Sequence, residues 1–480
     1  MPPTDDDKRN RGYDAIVIGA GPNGLAAAIE IARAGRRVCL YEGHSTVGGG
    51  TRSAELTLPG FIHDVCSAVH PLAASSPFFT QLPLEKYGLE FVYPPSSLAH
   101  PFDDGTALFV ERSLDATTAR LGKDGASYRS VFSPLVNAWD EIAGDILGPV
   151  GIPRHPFAMA RFGLKGIRPA KGFAEAKFQE DKTRTLFAGM AAHSFLALDW
   201  AGTTAFGLVL GVLAHTAGWP IIRGGSQNLA NALAAHFTEL GGEIVVNHRV
   251  ESLTDLPAAR AVLCDVTPRQ LVIVAGDALS ASFRRRLERY RYGPAAFKMD
   301  WALNAPVPWK AAECRTAATV HLGGTFAEIL SSEWNATHGQ HSEKPFVLIA
   351  QPSLFDSTRA PAGQHTLWAY CHVPNGSTVD MSDAIENQIE RFAPGFRDCI
   401  LARSVMNPAD YERYNPNLIG GDINGGIQDL AQMFLRPTAR LYSTSKEGLY
   451  LCSSSTPPGG GVHGLCGFHA ARLALRKNLR

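Results

Sequence analysis

Apolar and polar positions fall into two rhythms along this chain, and their alternation maps most of its elements. Tyr13–Ile18 is an unbroken apolar run of strand type, Pro22–Ala28 continues as an alanine-rich helical segment, and Val38–Tyr41 is a second apolar run that ends on the acid Glu42. From about 75 to 216 the rhythm becomes irregular. Pro94-Pro95 and Asp103-Asp104-Gly105 punctuate several amphipathic helical stretches, the pattern of an inserted domain. A helix is predicted to follow Gly224-Gly225 and to run to Leu240, where Gly241-Gly242 stops it. Strands are predicted over Glu243–Glu251, Ala261–Asp265, Lys298–Leu303, Phe346–Gln351 and Thr366–Val373, and a helix over Met381–Phe392. Gly448–Cys452 reads as a last strand, followed by a glycine-rich loop and a helix through Leu473.

The first of these junctions carries chemistry. Strand, Gly19-Ala20-Gly21-Pro22-Asn23-Gly24, helix, strand and acid is the order of a dinucleotide-binding βαβ unit. Gly19 permits a tight turn, Gly21 has no Cβ to block a pyrophosphate, and Gly24 lets helix and strand pack closely. The helix N-terminus offers free N–H groups to phosphates, and Glu42 can accept from a ribose hydroxyl. A second glycine cluster, Gly48-Gly49-Gly50-Thr51-Arg52, follows on the side where the ligand must lie. A third, Pro458-Gly459-Gly460-Gly461-Val462-His463-Gly464, repeats the arrangement of strand, glycine loop and helix start at the far end of the chain.

Composition narrows the rest. At 480 residues the chain can bury a large core and divide into two domains. Forty-five basic residues balance forty-five acidic ones, so no global field favours nucleic acid. The eight cysteines form no Cys-x-x-Cys, which disfavours disulfide redox chemistry and a zinc ribbon and leaves no metal site to assign. The polar start, with Asp5-Asp6-Asp7, lacks an apolar signal region and suits a cytoplasmic protein, with a mitochondrial matrix as the eukaryotic alternative. The longest apolar stretch, Ala205–Ala214, is too short and glycine-rich to span a bilayer. Arg154, Arg161, Lys165, Arg168, Lys171 and Lys177, interleaved with Phe157, Met159, Phe162, Leu164 and Phe173, share a stretch with a single acid, Glu175. A solvated basic face over a buried apolar one is the plainer reading; docking on an anionic membrane is the alternative.

Taken together, the three glycine clusters, Glu42 and the Gly224-Gly225 helix start resemble the FAD-dependent amine oxidase and phytoene desaturase superfamily. Pro59-Gly60-Phe61, Gly420-Gly421-Asp422-Ile423 and the Pro-Gly-Gly-Gly-Val ending are similar to its carotenoid-type branch. The resemblance implies an α/β fold, α+β overall. It expects a discontinuous Rossmann-like FAD-binding domain with a parallel sheet (11–75, 216–290 and 410–480), a mixed-sheet and helical substrate domain (76–215 and 291–409), and a disordered tail (1–10).

It also implies the cofactor, FAD, and a set of residues around it. Gly19, Gly21, Pro22, Asn23 and Gly24 would cradle the pyrophosphate, and Glu42 would bind the adenosine ribose. Gly49, Gly50, Thr51 and Arg52 would pass near the phosphates and flavin, and the backbone of Val250 would meet the adenine. Gly460, Gly461 and Val462 would place N–H groups at the flavin's pyrimidine edge, where negative charge develops on reduction. Two departures stand out. Ser453-Ser454 replaces the glycine and acid usual in amine oxidases, with Ser454 left to bind the ribityl chain. No amine-binding aromatic pair can be matched, and Lys298, the candidate flavin-facing lysine, reads first as a solvated sheet-edge residue.

The activity expected is dehydrogenation of an apolar, polyene or isoprenoid-like substrate by hydride transfer to flavin N5. A redox-neutral flavin isomerase and a non-catalytic FAD-bound regulatory or partner-binding protein stay open. No catalytic residue is assigned: His463 reads first as a structural hydrogen-bonder, and His70 and His193 are weaker candidates. The expected partners are an apolar small molecule and an electron acceptor left open among oxygen, a quinone and a second protein.

Overall fold

A computed structural model describes residues 12–149 and 151–480. The expected tail at 1–10, with its acidic triplet, lies outside the described residues.

Tyr13–Ile18 is the centre of a five-stranded parallel sheet. It pairs with Ala259–Cys264 on one side and Val38–Tyr41 on the other; Leu449–Leu451 and Glu243–Val245 complete the two edges. Across the sheet the strands lie third, second, first, fourth, fifth in chain order, so the direction of winding reverses beside the first strand. A crevice opens at such a reversal, outside the carboxyl ends of the strands, and ligands bind there. The apolar run of the first strand is buried from Ala15 through Ile18, as a parallel strand covered on both faces requires.

Helix Pro22–Arg33 leaves that strand with proline in its first turn, where the missing N–H costs nothing. Its alanines are wholly buried and let the C-terminal helix, Leu465–Lys477, approach closely. At Gly467 the approach is closest: an added Cβ would lie 1.7 Å from the Asn23 carbonyl oxygen. The two ends of the chain are thereby packed against each other beneath the crevice.

The second sheet has seven strands, in the spatial order Ile400–Met406, Ala295–Leu303, His365–Val373, Val347–Ala350, Ala317–Leu322, Ser96–Pro101 and Ala107–Glu111. All neighbours are antiparallel except Ala317–Leu322 with Ser96–Pro101. Helices between 114 and 216 cover one end, with Thr203–Thr216, the longest apolar stretch of the sequence, at their centre.

Two expectations need correction here. The strand predicted over Glu243–Glu251 stops at Val245. Asn247 takes a left-handed conformation (φ 53°), and the chain folds over the end of Val38–Tyr41 with His248 N–H donating to the Glu42 carbonyl at 2.8 Å. Lys298 is not on a sheet edge. It lies on Ala295–Leu303, which has a neighbour on each side and is buried at every residue, and its ammonium is paired with Asp300.

Candidate active site

The turn after the first strand is shaped by contacts within the fold. Gly19 has φ 97°, a left-handed conformation open to glycine, and its N–H donates to the Tyr41 carbonyl at 2.7 Å. A Cβ on Gly24 would come within 1.9 Å of the Gly19 carbonyl oxygen, so Gly24 is fixed by close packing of helix on strand. At Gly21 the sequence reading is incomplete. A Cβ there would lie 2.9 Å from Asp265 Oδ2, a group of the protein, before any ligand is considered.

Asp265 follows the fourth strand, directly across the crevice, and accepts the Gly24 N–H at 2.9 Å. Burial pushes its carboxyl up to about 7; the Gly24 N–H offsets part of that and the nearby Glu42 charge adds to it. Glu42 sits where the motif requires an acid. Its Oε2 accepts from Ala20 N–H at 2.9 Å, and its Oε1 from His44 N–H at 2.8 Å and Arg52 Nη2 at 3.2 Å.

The second glycine cluster presses on the first: a Cβ on Gly49, where φ is 53°, would meet Gly21 Cα at 3.0 Å. Arg52 is tied to the Thr46 carbonyl through Nε and Nη2. Behind this turn, Asp64 accepts from Ser53 Oγ, Ser226 N–H and Arg359 Nη2 at 2.8, 2.7 and 2.6 Å. Burial works against the Asp64 charge, but Arg359 and the Ser226 N–H together hold its carboxyl below the usual range. One buried carboxylate thus joins the glycine turn, the Gly224-Gly225 helix start and the segment bearing Arg359. Sequence reasoning did not single out Asp64, Arg359 or Asp265, because each acts on partners far away in the chain.

A single continuous cavity of about 1240 Å³ connects these parts. Gly19, Gly21, Pro22 and Asn23 line one wall, and Glu42, Gly49, Gly50 and Arg52 the next. Val250 closes the end beside Glu42, and Ser454, Gly460, Gly461 and Val462 face it from the C-terminal loop. Gly24 and Thr51 do not line it. Gly24 is spent on packing and on Asp265, and Thr51 is wholly buried with its hydroxyl donating to the Gly48 carbonyl at 2.8 Å.

Beyond the glycine loops the same cavity widens into an apolar chamber. Phe195, Phe206, Val209, Leu210 and Trp219 line its helical side, and Leu348, Trp368 and Tyr370 its sheet side. The Trp368 and Tyr370 rings stand nearly perpendicular, with centroids 5.1 Å apart. The carboxylates lining the cavity, among the described residues, are Glu42, Asp265 and Asp145. The first two belong to the glycine-loop end, and Asp145 accepts the Arg154 N–H at 3.0 Å.

The three histidine candidates all reach the cavity wall, and each has structural work. His463 Nδ1 accepts the Leu465 N–H at 3.0 Å and so caps the last helix; burial lowers its imidazole to about 4. His70 Nε2 is 2.8 Å from Ser226 Oγ and is likewise lowered by burial to about 4. His193 Nε2 is 3.2 Å from His321 Nε2, and burial lowers it to about 3. All three are neutral at pH 7.

Comparison with known proteins agrees with this geometry. The model of a NAD(P)-binding Rossmann-like domain matches residues 17–82. Pyridine nucleotide-disulfide oxidoreductase domain-containing protein 2 of Rattus norvegicus is 26% identical, over 97% of this chain and 93% of its own. A phytoene desaturase (neurosporene-forming) of Rhodobacter capsulatus is also 26% identical, over 94% of this chain and 92% of its own. Among solved structures, an oxidoreductase from Methanosarcina mazei superposes with a TM-score of 0.66 at 15% identity, covering 96% of this chain and all of its own. A putrescine oxidase superposes with a TM-score of 0.61 at 15% identity, covering 97% of this chain and 99% of its own.

Over nearly its whole length the chain is similar in sequence to proteins of the FAD-dependent amine oxidase and phytoene desaturase superfamily, and it shares the fold of an amine oxidase. It carries a dinucleotide-binding Rossmann-like domain, and its parallel and mixed sheets are those the superfamily resemblance implied. The word disulfide in the rat protein's name has no counterpart here. All eight cysteines are free, and Cys66, the one that lines the cavity, has its thiol pushed up to about 12 by burial.

Proposed function

We propose that the chain binds FAD and dehydrogenates an apolar, chain-like substrate. The observation that carries this reading is the continuity of the cavity. At about 1240 Å³ it exceeds the roughly 300–1,000 Å³ of an ordinary small-molecule site, and it joins a dinucleotide cradle to an apolar chamber without a break.

The residues present fit the cofactor. Gly21 at the N-cap brings no side-chain cap, Pro22 has no N–H and Asp265 takes the Gly24 N–H, so the Asn23 N–H and the positive end of the helix remain for phosphate oxygens. Asn23 Oδ1 is buried with no hydrogen-bond partner among the described residues, at the wall where a ligand donor would arrive. Glu42 would hold the ribose, Val250 the adenine, Ser454 the ribityl chain, and Gly460, Gly461 and Val462 the pyrimidine edge of the ring. When bound, FAD supplies the two-electron acceptor for dehydrogenation. The protein's own share is to bind, orient and keep water out. The chamber walls are apolar, and Asp265 and Glu42 hold the glycine turn in shape.

Charge argues for an apolar rather than a cationic substrate. Among the described residues the chamber presents no free carboxylate to pair with an ammonium group: those lining the cavity stand at the glycine loops or are engaged with backbone. The test is an anaerobic visible spectrum of the purified protein with long polyene, isoprenoid and acyl-chain compounds. Bleaching of bound flavin supports the reading. Product without net bleaching would move the assignment to an isomerase, and flavin unresponsive to every apolar compound but bleached by an amine would overturn it.

A further inference from the structure

The cavity opens beside the helix Pro156–Gly166, and this helix is turned the wrong way round for a soluble surface. Phe162 and Gly166 face inward, and Met159 lines the cavity. The apolar residues outward are Phe157, Leu164 and, just past the helix end, Ile167, exposed by 90%, 76% and 54%; Ile152, in the preceding loop, is exposed by 97%. Positions 157, 160, 164 and 167 follow the three-and-four spacing that puts them on one helical stripe.

Across the mouth, Phe434 and Leu435 add two more exposed apolar side chains, joined to the first rim through Gly202. Its N–H donates to the Ile167 carbonyl at 2.9 Å, and its bare Cα lies under Leu430. Ile152 and Leu164, two of the three most exposed large apolar side chains of the described residues, line the cavity, and Phe157, the third, shares the Leu164 stripe. Contiguous apolar surface of this kind marks an interaction site.

Charge identifies what covers it. Arg161 and Lys165 fall on the flank of the same helical stripe, Arg154 lies in the loop before it, and Arg168, Lys171 and Lys177 follow. None of the six forms an ion pair among the described residues, and between 146 and 174 the chain carries no acid. An apolar stripe edged by basic side chains lies in the plane of an anionic bilayer surface, with its apolar face among acyl chains. Among the described residues no helix is long and apolar enough to cross a membrane, so the contact is made by lying on it. The apolar face expected to be buried is divided: Phe162 and Phe173 are buried, whereas Phe157 and Leu164 point outward.

We infer that the rim formed by Ile152, Phe157, Leu164, Ile167 and Phe434 docks on an anionic lipid surface, so that the cavity mouth opens directly into the acyl-chain layer. Passage of an apolar substrate from lipid to chamber rests on the function proposed above; the docking itself does not. Sedimentation with vesicles, with no substrate present, therefore tests docking alone.

The purified protein is to be spun with phosphatidylcholine vesicles containing phosphatidylglycerol, and with phosphatidylcholine alone. Binding is expected to the anionic vesicles and to weaken with salt. Phe157→Asp combined with Leu164→Asp, both at exposed positions and checked for folding by circular dichroism, is expected to lower the vesicle affinity by at least about a hundredfold. Arg154→Ala combined with Arg161→Ala is expected to flatten the salt dependence while leaving the fold intact. Wild type that stays in the supernatant with anionic vesicles would overturn the inference, as would undiminished binding by the Asp variant. A dimer that Phe157→Asp dissolves, without vesicle binding, would also overturn it and make the rim a contact between copies.

Discussion

Gly21 shows how a motif residue can be fixed from two sides. A Cβ there would stand 2.9 Å from Asp265 Oδ2, on the protein side of the turn, while its backbone lines the cavity. Gly21→Val is expected to displace Asp265, misplace the Gly24 N–H it holds and abolish cofactor retention, read as loss of flavin absorbance in a folded variant. Glu42→Ala removes an acceptor shared by Ala20, His44 and Arg52 as well as the proposed ribose ligand. FAD affinity, measured by titration of the apoprotein, is expected to fall by about 1.5–3 kcal/mol, the scale of one charged hydrogen bond. Unchanged affinity would remove Glu42 from the site. The glycines and Glu42 were legible in the sequence because their spacing is local. Asp265 was not: it reads as a strand-end acid, and its partner Gly24 lies 241 residues earlier.

Elements were legible where the apolar rhythm was strong and uninterrupted. Lys298–Leu303 and Thr366–Val373 were found as strands, within longer strands at Ala295–Leu303 and His365–Val373. Glu243–Glu251 was overextended because Val245 and Val246 continue the pattern, while the turn at Asn247 is imposed by hydrogen bonds to Glu42 and His44 from another strand's end. The close meeting of helices Pro22–Arg33 and Leu465–Lys477 was not foreseen, since Gly467 looks like any helical glycine. Gly467→Leu is expected to force the two apart and abolish soluble expression; a folded variant with native cofactor content would contradict the packing described. The buried pair Asp64–Arg359, each residue 1% exposed, ties the glycine turn to the rest of the fold. Arg359→Met leaves the Asp64 carboxylate uncompensated and is expected to destabilise by about 3–5 kcal/mol in urea unfolding. A loss below about 1 kcal/mol, the range of an exposed pair, would show that the pair is not buried as described.

At the scale of the whole molecule, burial of neutral imidazoles sets the response to pH. His63 and His193 are lowered to about 3, and His70 and His463 to about 4, in each case chiefly by burial. The unfolded chain binds protons at these residues below about 6.5, whereas the folded chain does not until near 4. Their contribution is intact above 6.5 and is lost as pH falls toward 4. Asp265 and Asp300, raised to about 7 and about 6 by burial, act in the opposite sense: their stabilisation is present at low pH and is lost as pH rises toward those values. The histidines outnumber them, so the urea midpoint is expected to drop between pH 7 and pH 5; a midpoint that rises over that interval would contradict the burial described. The cavity itself was only half legible. The sequence located its glycine walls, but the apolar chamber is assembled from helices and strands scattered between 146 and 434, and the outward-facing rim reverses the usual meaning of an amphipathic pattern. The central claim is that the glycine-lined end of this cavity is an FAD site, and the most direct measurement is of the cofactor released on denaturing the purified native protein. Equimolar FAD from the wild-type chain, and none from folded Gly21→Val, is the predicted result. A nicotinamide dinucleotide in its place, or FAD retained in full by that variant, would contradict the account.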